Sequence, residues 1–334
     1  MTAATIRPDR ILRQLDELWI AHGRQQQEGA APAVLRACAM TLIVFAGNEP
    51  EDPPVAETLA GLMEEHPSRV IIVRVTPGEE RRLESRVTAQ CWMPFGSGRQ
   101  ICSEQVEIRS STAALPDLAG VIRALTVPDL PVVIWRRPLW LADSPDLAPI
   151  LALADKVIVN SSGCAGPGRF LAMMAGLRSP GRAVADLSWT RLTRWRETIA
   201  QVFSNPSRLA RLSDVERVVV THYGSTAPVR GRYLAAWLRG VIGEGARYEF
   251  VPAHRLPCQP LGEVQGVLLE GPGLRVTLEQ LEGESVALCV GDLCRQIVFQ
   301  MLDERRLLAE ELTIEGRDAV FERVLDRAIQ EAGG

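Results

Sequence analysis

The sequence predicts an α/β protein: an N-terminal part with a mostly parallel sheet plus an antiparallel hairpin, followed by an α+β C-terminal part with an antiparallel meander. Three observations predict this. Short apolar runs without polar alternation, typical of strands covered on both faces, stand at 42–46, 70–75, 132–135 and 157–159. Segments with helical spacing separate several of these runs. Alternating apolar and polar residues, typical of half-buried strands, stand between two of the units and again near the end of the chain.

The first element is predicted to be an amphipathic helix. Apolar side chains recur there at helical spacing, namely Ile11, Leu15, Leu18, Trp19 and His22. Two further helices are predicted between the buried strands, at 55–65 and 112–125. Each must end before a proline, because the residue before proline is disfavoured in the helical conformation; the two prolines are Pro67 and Pro128.

Two alternating runs, at 83–91 and 102–109, predict half-buried strands. The segment PFGSG lies between them and supplies turn residues. We therefore expect an antiparallel hairpin attached to the parallel sheet.

After residue 161 the chain becomes rich in glycine and proline, and we place a domain boundary near residue 181, giving domains 1–180 and 181–334. The second domain is predicted to contain a strand at 218–223 and a helix beginning at Pro228 and capped by Gly243. Alternation between 263 and 300 predicts an antiparallel meander, and a helix at 315–331 closes the chain.

Composition narrows the class of protein. The chain has 334 residues, 46% of them hydrophobic, and a net charge of −4, with Lys156 the single lysine among 37 basic residues. This charge lacks the uniform basic field that drives nucleic-acid binding, and no stretch approaches the about 20 apolar residues that span a bilayer. The seven cysteines are scattered without CxxC spacing. We therefore expect a reduced, cytoplasmic protein without a disulfide framework.

The motifs in the sequence predict no catalytic residue, metal or cofactor. Neither GxxxxGK[ST] nor GxGxxG nor GxSxG occurs, and the four histidines lie in four different segments. The turn at 161–168 could bind an anion, but a plain turn is favoured because Pro167 removes a donor. The pair Cys289 and Cys294 is interpreted as ordinary buried strand cysteines rather than metal ligands.

The segment DLSWTRLTRWRETIAQVF, at 186–203, is the most informative. At about 100° per residue, one sector of this predicted helix is apolar and holds Trp189, Leu192, Trp195, Ile199, Val202 and Phe203. Two interpretations stay open, a core helix and a partner-binding surface. The core is favoured for Trp189 and Trp195, and neither interpretation is favoured for Arg191 and Arg196 at the sector's edges. Tryptophan with arginine is the combination enriched at binding hot spots.

At this helix the chain resembles the OpcA family of glucose-6-phosphate dehydrogenase assembly proteins. The tryptophan-rich helix is the most specific part of the resemblance, and four other stretches agree in order. The five stretches are HPSRVIIV at 66–73, CSEQVEI at 102–108, PDLPVVIW at 128–135, DLSWTRLTRWRE at 186–197 and YLAAWL at 233–238.

The resemblance implies a non-catalytic partner of glucose-6-phosphate dehydrogenase. Such a protein helps the enzyme assemble or holds it in an active form as an allosteric activator, and so supports NADPH production in the oxidative pentose phosphate pathway. A second hypothesis is a sugar-phosphate or nucleotide-binding α/β enzyme with a site at the carboxyl ends of the parallel strands. Nucleic-acid binding is a third, for which the excess of arginine at 186–217 is small.

Overall fold

The structure is a computed structural model that describes residues 7–27, 33–47, 55–93, 99–137, 145–253, 263–314 and 316–333. Its helices are α1 (Pro8–Gln27), α2 (Val55–Leu62), α3 (Leu115–Leu125), α4 (Ala148–Leu151), α5 (Pro167–Leu177), α6 (Leu187–Thr190), α7 (Thr193–Val202), α8 (Pro206–Leu209), α9 (Val229–Ile242), α10 (Glu304–Leu312) and α11 (Ala319–Gly333). Its strands are β1 (Ala33–Arg36), β2 (Met40–Ala46), β3 (Ser68–Thr76), β4 (Leu83–Trp92), β5 (Arg99–Ser111), β6 (Val132–Arg136), β7 (Lys156–Val159), β8 (Ala183–Asp186), β9 (Arg217–His222), β10 (Arg247–Pro252), β11 (Val264–Gly271), β12 (Leu274–Gln280), β13 (Ser285–Val290) and β14 (Leu293–Val298).

The chain divides into two compact units, and neither is one continuous stretch. Unit 1 comprises residues 1–159, 179–184 and 304–316, and unit 2 comprises 160–178, 185–303 and 317–334. This differs from the expected division at residue 181: residues 160–178 belong to unit 2, and residues 304–316 belong to unit 1. Whether the stretches on either side of residue 181 fold as separate domains stays a prediction.

Unit 1 is built on the predicted parallel sheet. Its strand order is β1-β5-β3-β2-β6-β7-β8, and β4 pairs antiparallel with β5 outside this order. All seven residues of β2 are buried, as the unbroken apolar run predicts for a strand covered on both faces. The predicted hairpin is confirmed by the β4–β5 pairing; its turn, 94–98, lies outside the described residues.

The first helix packs as its apolar spacing predicts. Ile11 and Leu15 of α1 are 1% and 2% exposed. The helix is tied to the sheet through Glu104 of β5, which is itself buried and accepts hydrogen bonds from Trp19 Nε1 and Arg69 Nε, both at 2.6 Å. The side chain of His22 lies outside the described residues.

The single lysine is a structural cation of unit 1. Lys156 Nζ, at the start of β7, donates to the carbonyl oxygens of Glu311 at 2.8 Å and Ile314 at 3.0 Å. It also pairs with the Glu311 carboxylate at 2.7 Å. Because the ammonium is buried, these three acceptors replace the water molecules that would otherwise hydrate it. These contacts tie the last turn of α10, and Ile314 just after it, to the sheet.

Unit 2 contains a six-stranded mixed sheet in the order β10-β9-β11-β12-β13-β14. The strands β11 to β14 are successive antiparallel neighbours, so the predicted meander is confirmed. Strands β9 and β10 run parallel and α9 connects them. The helix ends at Gly243, which has a φ of 110° and is the predicted cap.

The expectation that no disulfide forms is wrong for four cysteines. Cys91 is joined to Cys102 across β4 and β5, and Cys289 to Cys294 across β13 and β14. In both pairs the two residues are direct partners in the antiparallel register. The interpretation of Cys289 and Cys294 as buried cysteines is wrong as well, because Cys294 is exposed and Cys289 is only half-buried.

Candidate functional site

The tryptophan-rich segment of unit 2 begins at a helix cap. Asp186 ends β8 with an extended backbone, and its carboxylate accepts the N–H of Ser188 at 2.9 Å. This is the usual geometry of an aspartate N-cap, which satisfies a backbone donor that the first turn leaves free. The predicted continuous helix is divided in two, because α6 ends at Thr190 and α7 begins at Thr193.

Both tryptophans are part of the core of unit 2. Trp189 is 2% exposed, donates from Nε1 to Asp318 at 2.9 Å and stacks on Phe321 with ring centres 5.6 Å apart. Trp195 is 6% exposed and meets Phe299 edge to face at 5.4 Å. The apolar sector expected from the sequence is therefore buried, as the core interpretation of this helix predicts.

The two arginines lie at the edge of this core and are half-buried. The guanidinium of Arg196 lies over the Trp189 ring, 3.6 Å from its centre, and Nη2 donates to Thr193 Oγ1 at 3.1 Å. Arg191 donates to the carbonyl oxygen of Leu302 at 2.9 Å. That Arg191, Arg196, Trp189 and Trp195 contact a partner protein stays a prediction.

A buried polar cluster adjoins this segment. We call it the Asp186 cluster, and it consists of Asp186, Ser161, Ser188, Tyr233 and Arg230. Asp186 is fully buried and accepts hydrogen bonds from the N–H of Ser161 at 3.0 Å and from the hydroxyl of Tyr233 at 3.1 Å, in addition to the N–H of Ser188. One carboxylate therefore joins the glycine turn, the start of α6 and the middle of α9.

The electrostatics of the cluster follow from burial. Burial raises the pKa of Asp186, although the hydrogen bonds from Ser161, Ser188 and Tyr233 favour the ionised form. Burial and the nearby Asp186 carboxylate raise the pKa of Tyr233 well above its ordinary value, so its hydroxyl stays a proton donor. Burial and the charge of Arg191 lower the pKa of Arg230 to about 9, against the opposing effect of Asp186.

The glycine-rich segment after β7 forms a turn. The N–H of Cys164 donates to the carbonyl oxygen of Ser161 at 3.1 Å, and Gly163 has a φ of 75°, which glycine adopts without steric cost. The N–H of Ser161 is already used by Asp186. This arrangement is what the plain-turn interpretation predicts.

Sequence reasoning missed Tyr233 and Arg230 as polar members of this site. Both lie in α9 among residues whose apolar character dominates the pattern, and both are at most 5% exposed. The available signal in the sequence was Arg230, an arginine in the first turn of a helix, α9, most of whose residues are apolar. Tyr233 lies 47 positions from its partner Asp186, and over such a separation the spacing of residues in the sequence predicts no contact.

Within the described ranges, no group of three or more histidine, cysteine, aspartate or glutamate side chains is placed to hold a metal ion. None of the helices in the described part of the chain is long and apolar enough to cross a membrane.

The fold and this segment define an α/β protein of two units, the second of which carries the tryptophan- and arginine-bearing helices α6 and α7, with a buried aspartate at the N-cap of α6. Family models for the glucose-6-phosphate dehydrogenase subunit match the chain twice: the N-terminal domain model at residues 60–176 and the C-terminal domain model at 182–325. The chain belongs to the OpcA family.

Relatives with this family name are similar over part of their length. The OxPP cycle protein OpcA of Synechocystis sp. is 29% identical over 175 residues, which is 52% of this chain and 36% of the relative. OpcA of Nostoc punctiforme is 30% identical over 195 residues, 58% of this chain and 41% of the relative. The match therefore spans less than half of each of these two relatives.

Among solved structures, the aldose-aldose oxidoreductase from Caulobacter crescentus complexed with glycerol is similar in backbone course. The identity is 14%, the TM-score is 0.47, and the match covers 88% of this chain and 96% of that one. A likeness of this degree does not bear on chemistry.

Proposed function

We propose that this chain is a non-catalytic partner of glucose-6-phosphate dehydrogenase that favours the enzyme's assembled, active form. The observation that supports this most is that models of both domains of a glucose-6-phosphate dehydrogenase subunit match within one chain. The proposed location is the cytoplasm, where the enzyme would supply NADPH through the oxidative pentose phosphate pathway.

Activation of this kind is a difference in binding free energy. A partner shifts the dehydrogenase toward one conformation or oligomer only as far as it binds that state better than the other. Coupling of about 1–3 kcal/mol is typical and corresponds to a change of about 5- to 150-fold in the equilibrium. The proposed mechanism needs no chemical step on this chain.

The contact surface is proposed to include the α6–α7 segment. Trp189 and Trp195 are buried, so in this proposal they hold the segment in place rather than offer contact area. Arg191 and Arg196 are half-buried and present guanidinium groups at the edge of the core. Arginine at such a position provides planar donors for carboxylates of a partner.

A second candidate function is a sugar-phosphate or nucleotide-binding enzyme. The observation that favours it is the buried guanidinium of Arg230 in the Asp186 cluster, which is 5% exposed. An anionic ligand could meet such a group. We rank it second because the family models concern a dehydrogenase subunit.

The test is a titration of purified dehydrogenase from the same organism with this chain. We expect the apparent substrate affinity, the rate or the oligomeric state of the enzyme to change and then saturate. The chain alone, incubated with NADP⁺ and substrate, serves as the control and is expected to reduce no NADP⁺. An enzyme whose kinetics and size stay constant into excess of the chain would contradict the proposal.

A further inference from the structure

The N-terminus of α9 in unit 2 is buried and lacks a side-chain cap. Pro228 occupies the N-cap position and offers no side-chain acceptor to the first turn. The N–H of Arg232 bonds back to Pro228, but the three preceding N–H groups precede the first intrahelical bond. Val229 is only 2% exposed, so water has little access to them. A buried helix start of this kind favours a negative charge.

The second observation is the side chain of Arg230, in the same turn. It is 5% exposed, and its Nη1 forms an ion pair with Glu263. Within the described residues, its Nε and Nη2 have no acceptor. Helix side chains lean toward the helix N-terminus, which for Arg230 is the direction of the uncapped turn. A buried guanidinium with two donors that find no acceptor in the described part of the chain has room in its hydrogen-bonding geometry for a further anionic acceptor.

The position of Glu263 places this guanidinium in the fold. The carbonyl oxygen of Glu263 accepts the N–H of Tyr223 at 3.0 Å, and the next residue, Val264, pairs with His222. Arg230 therefore reaches the carboxyl end of β9, where β9 and β10 run parallel and α9 begins. This end of a βαβ unit is where α/β folds place ligands and where helix N-termini meet phosphate groups.

The surrounding charge is positive on balance. Burial and the charge of Arg191 lower the pKa of Arg230, and burial and the charge of Arg232 lower the pKa of His222, a residue that is 1% exposed. Asp186 acts in the opposite direction on Arg230 and is already hydrogen-bonded by three donors. Glu263 is the carboxylate in direct contact with Arg230, and its side chain is 25% exposed.

We propose that the first turn of α9 and the free donors of Arg230 bind a phosphate group, either inorganic phosphate or the phosphate monoester of a small metabolite. The group is tetrahedral and dianionic, so it accepts from the guanidinium fork and from the helix N–H groups at once. In the connection between β9 and α9, next to this buried turn, Ser225 and Thr226 are exposed. This site does not rest on the proposed role toward the dehydrogenase.

The structure gives Glu263 a definite part in this proposal. Its carboxylate occupies one edge of the Arg230 guanidinium and competes with an incoming phosphate for the same charge. Replacing it by glutamine keeps the hydrogen-bonding shape but removes the competing charge. The sign of this effect separates a phosphate site from an ordinary ion pair.

The experiment is calorimetric titration of the full chain with inorganic phosphate and, separately, with a hexose phosphate, at constant ionic strength set by chloride. The variants are Glu263→Gln, the double variant Arg230→Gln with Glu263→Gln, and Arg239→Gln. Arg239 is the matched control, because it forms ion pairs near the opposite end of α9. Circular dichroism and thermal unfolding show whether each variant is folded.

We expect saturable binding by the wild-type chain, tighter binding by several-fold in Glu263→Gln, unchanged binding in Arg239→Gln, and a loss of at least tenfold in the double variant. Equal affinity for the two probes identifies a site for the bare phosphate group, and tighter binding of the hexose phosphate identifies a metabolite site. Absence of saturable wild-type binding, or weaker binding in folded Glu263→Gln, would overturn the proposal. If the double variant does not fold, the sign of the Glu263→Gln change decides. Because no dehydrogenase is present, failure here leaves the proposed function intact.

Discussion

The guanidinium carbon of Arg196 lies 3.6 Å from the centre of the Trp189 ring, so the arginine covers one face of a tryptophan whose indole N–H is held by Asp318. A cation over an aromatic face is stabilised by about 0.5–2 kcal/mol, more as water is excluded. The contact fixes the direction of the guanidinium at the surface of unit 2. It thereby links the core of the tryptophan segment to the residue proposed to contact a partner.

Arg196→Ala is expected to weaken activation of the dehydrogenase more than it weakens folding. Folding loses the contact with Trp189, about 1 kcal/mol, whereas the chain concentration that gives half-maximal activation rises at least tenfold. Arg194→Ala is the matched control, since Arg194 is exposed and pairs with Glu197 on the same helix. Activity titrations and urea unfolding of both variants measure the two effects. A folded Arg196→Ala chain that activates fully would remove Arg196 from the contact surface.

Trp195→Ala is expected to destabilise the protein by about 3–5 kcal/mol, because it removes a buried tryptophan and leaves a cavity. The side chain is 6% exposed and meets Phe299 edge to face. Trp195→Phe keeps an aromatic ring and is expected to lose less. Urea unfolding followed by circular dichroism measures both. A loss below about 1 kcal/mol for the alanine variant would show that Trp195 is not a core residue.

Asp186→Asn and Asp186→Ala are expected to differ strongly. The amide keeps an acceptor for Ser161 and Ser188, whereas alanine removes the helix cap, worth about 0.5–2 kcal/mol, and leaves the Tyr233 hydroxyl buried and unmet. Unfolding experiments at neutral pH compare the two variants, and equal stability would contradict a role for the carboxylate oxygens.

The same aspartate makes stability depend on pH. Its pKa is raised from the ordinary value of 3.8, so the folded state disfavours the ionised form, and this contribution to stability falls as the pH rises above 3.8. Asp186→Asn lacks the charge and is expected to gain stability relative to the wild type between pH 4 and neutrality. Denaturant unfolding across this range provides the measurement, and parallel pH curves would contradict the assignment.

His222 is expected to contribute to loss of stability in mild acid. Burial, followed by the charge of Arg232, lowers its pKa from 6.5, so the folded protein keeps the ring neutral while the unfolded chain takes up a proton. Stability from this group is present above pH 6.5 and falls below it with a slope approaching about 1.4 kcal/mol per pH unit. His222→Asn should flatten the curve below pH 6.5. An unchanged slope in the folded variant would show that another group causes the loss.

Local patterns predicted the elements whose residues are neighbours in sequence. The apolar run predicted β2, and the alternation of apolar and polar residues predicted the β4–β5 hairpin and the meander from β11 to β14. All three are present. The short strands β1 and β10 were not among the predicted elements. The break between α6 and α7 was missed because the apolar sector continues across it.

Features that depend on distant parts of the chain could not be predicted. The disulfide between Cys91 and Cys102 depends on which residues face each other across a hairpin, and a shift of register by one residue would separate them. The Asp186 cluster joins residues from three elements, and its members show no common spacing. The resemblance located the α6–α7 segment, but only the structure shows that its tryptophans are buried.

The most direct test of the central claim is sedimentation velocity of this chain mixed with glucose-6-phosphate dehydrogenase purified from the same organism. We predict a new, faster-sedimenting species that contains both proteins, saturates at a fixed ratio and is weakened by Arg196→Ala but not by Arg194→Ala. The account would be contradicted if the two proteins sediment independently at every ratio, at protein concentrations equal to or above those used in the activity titration.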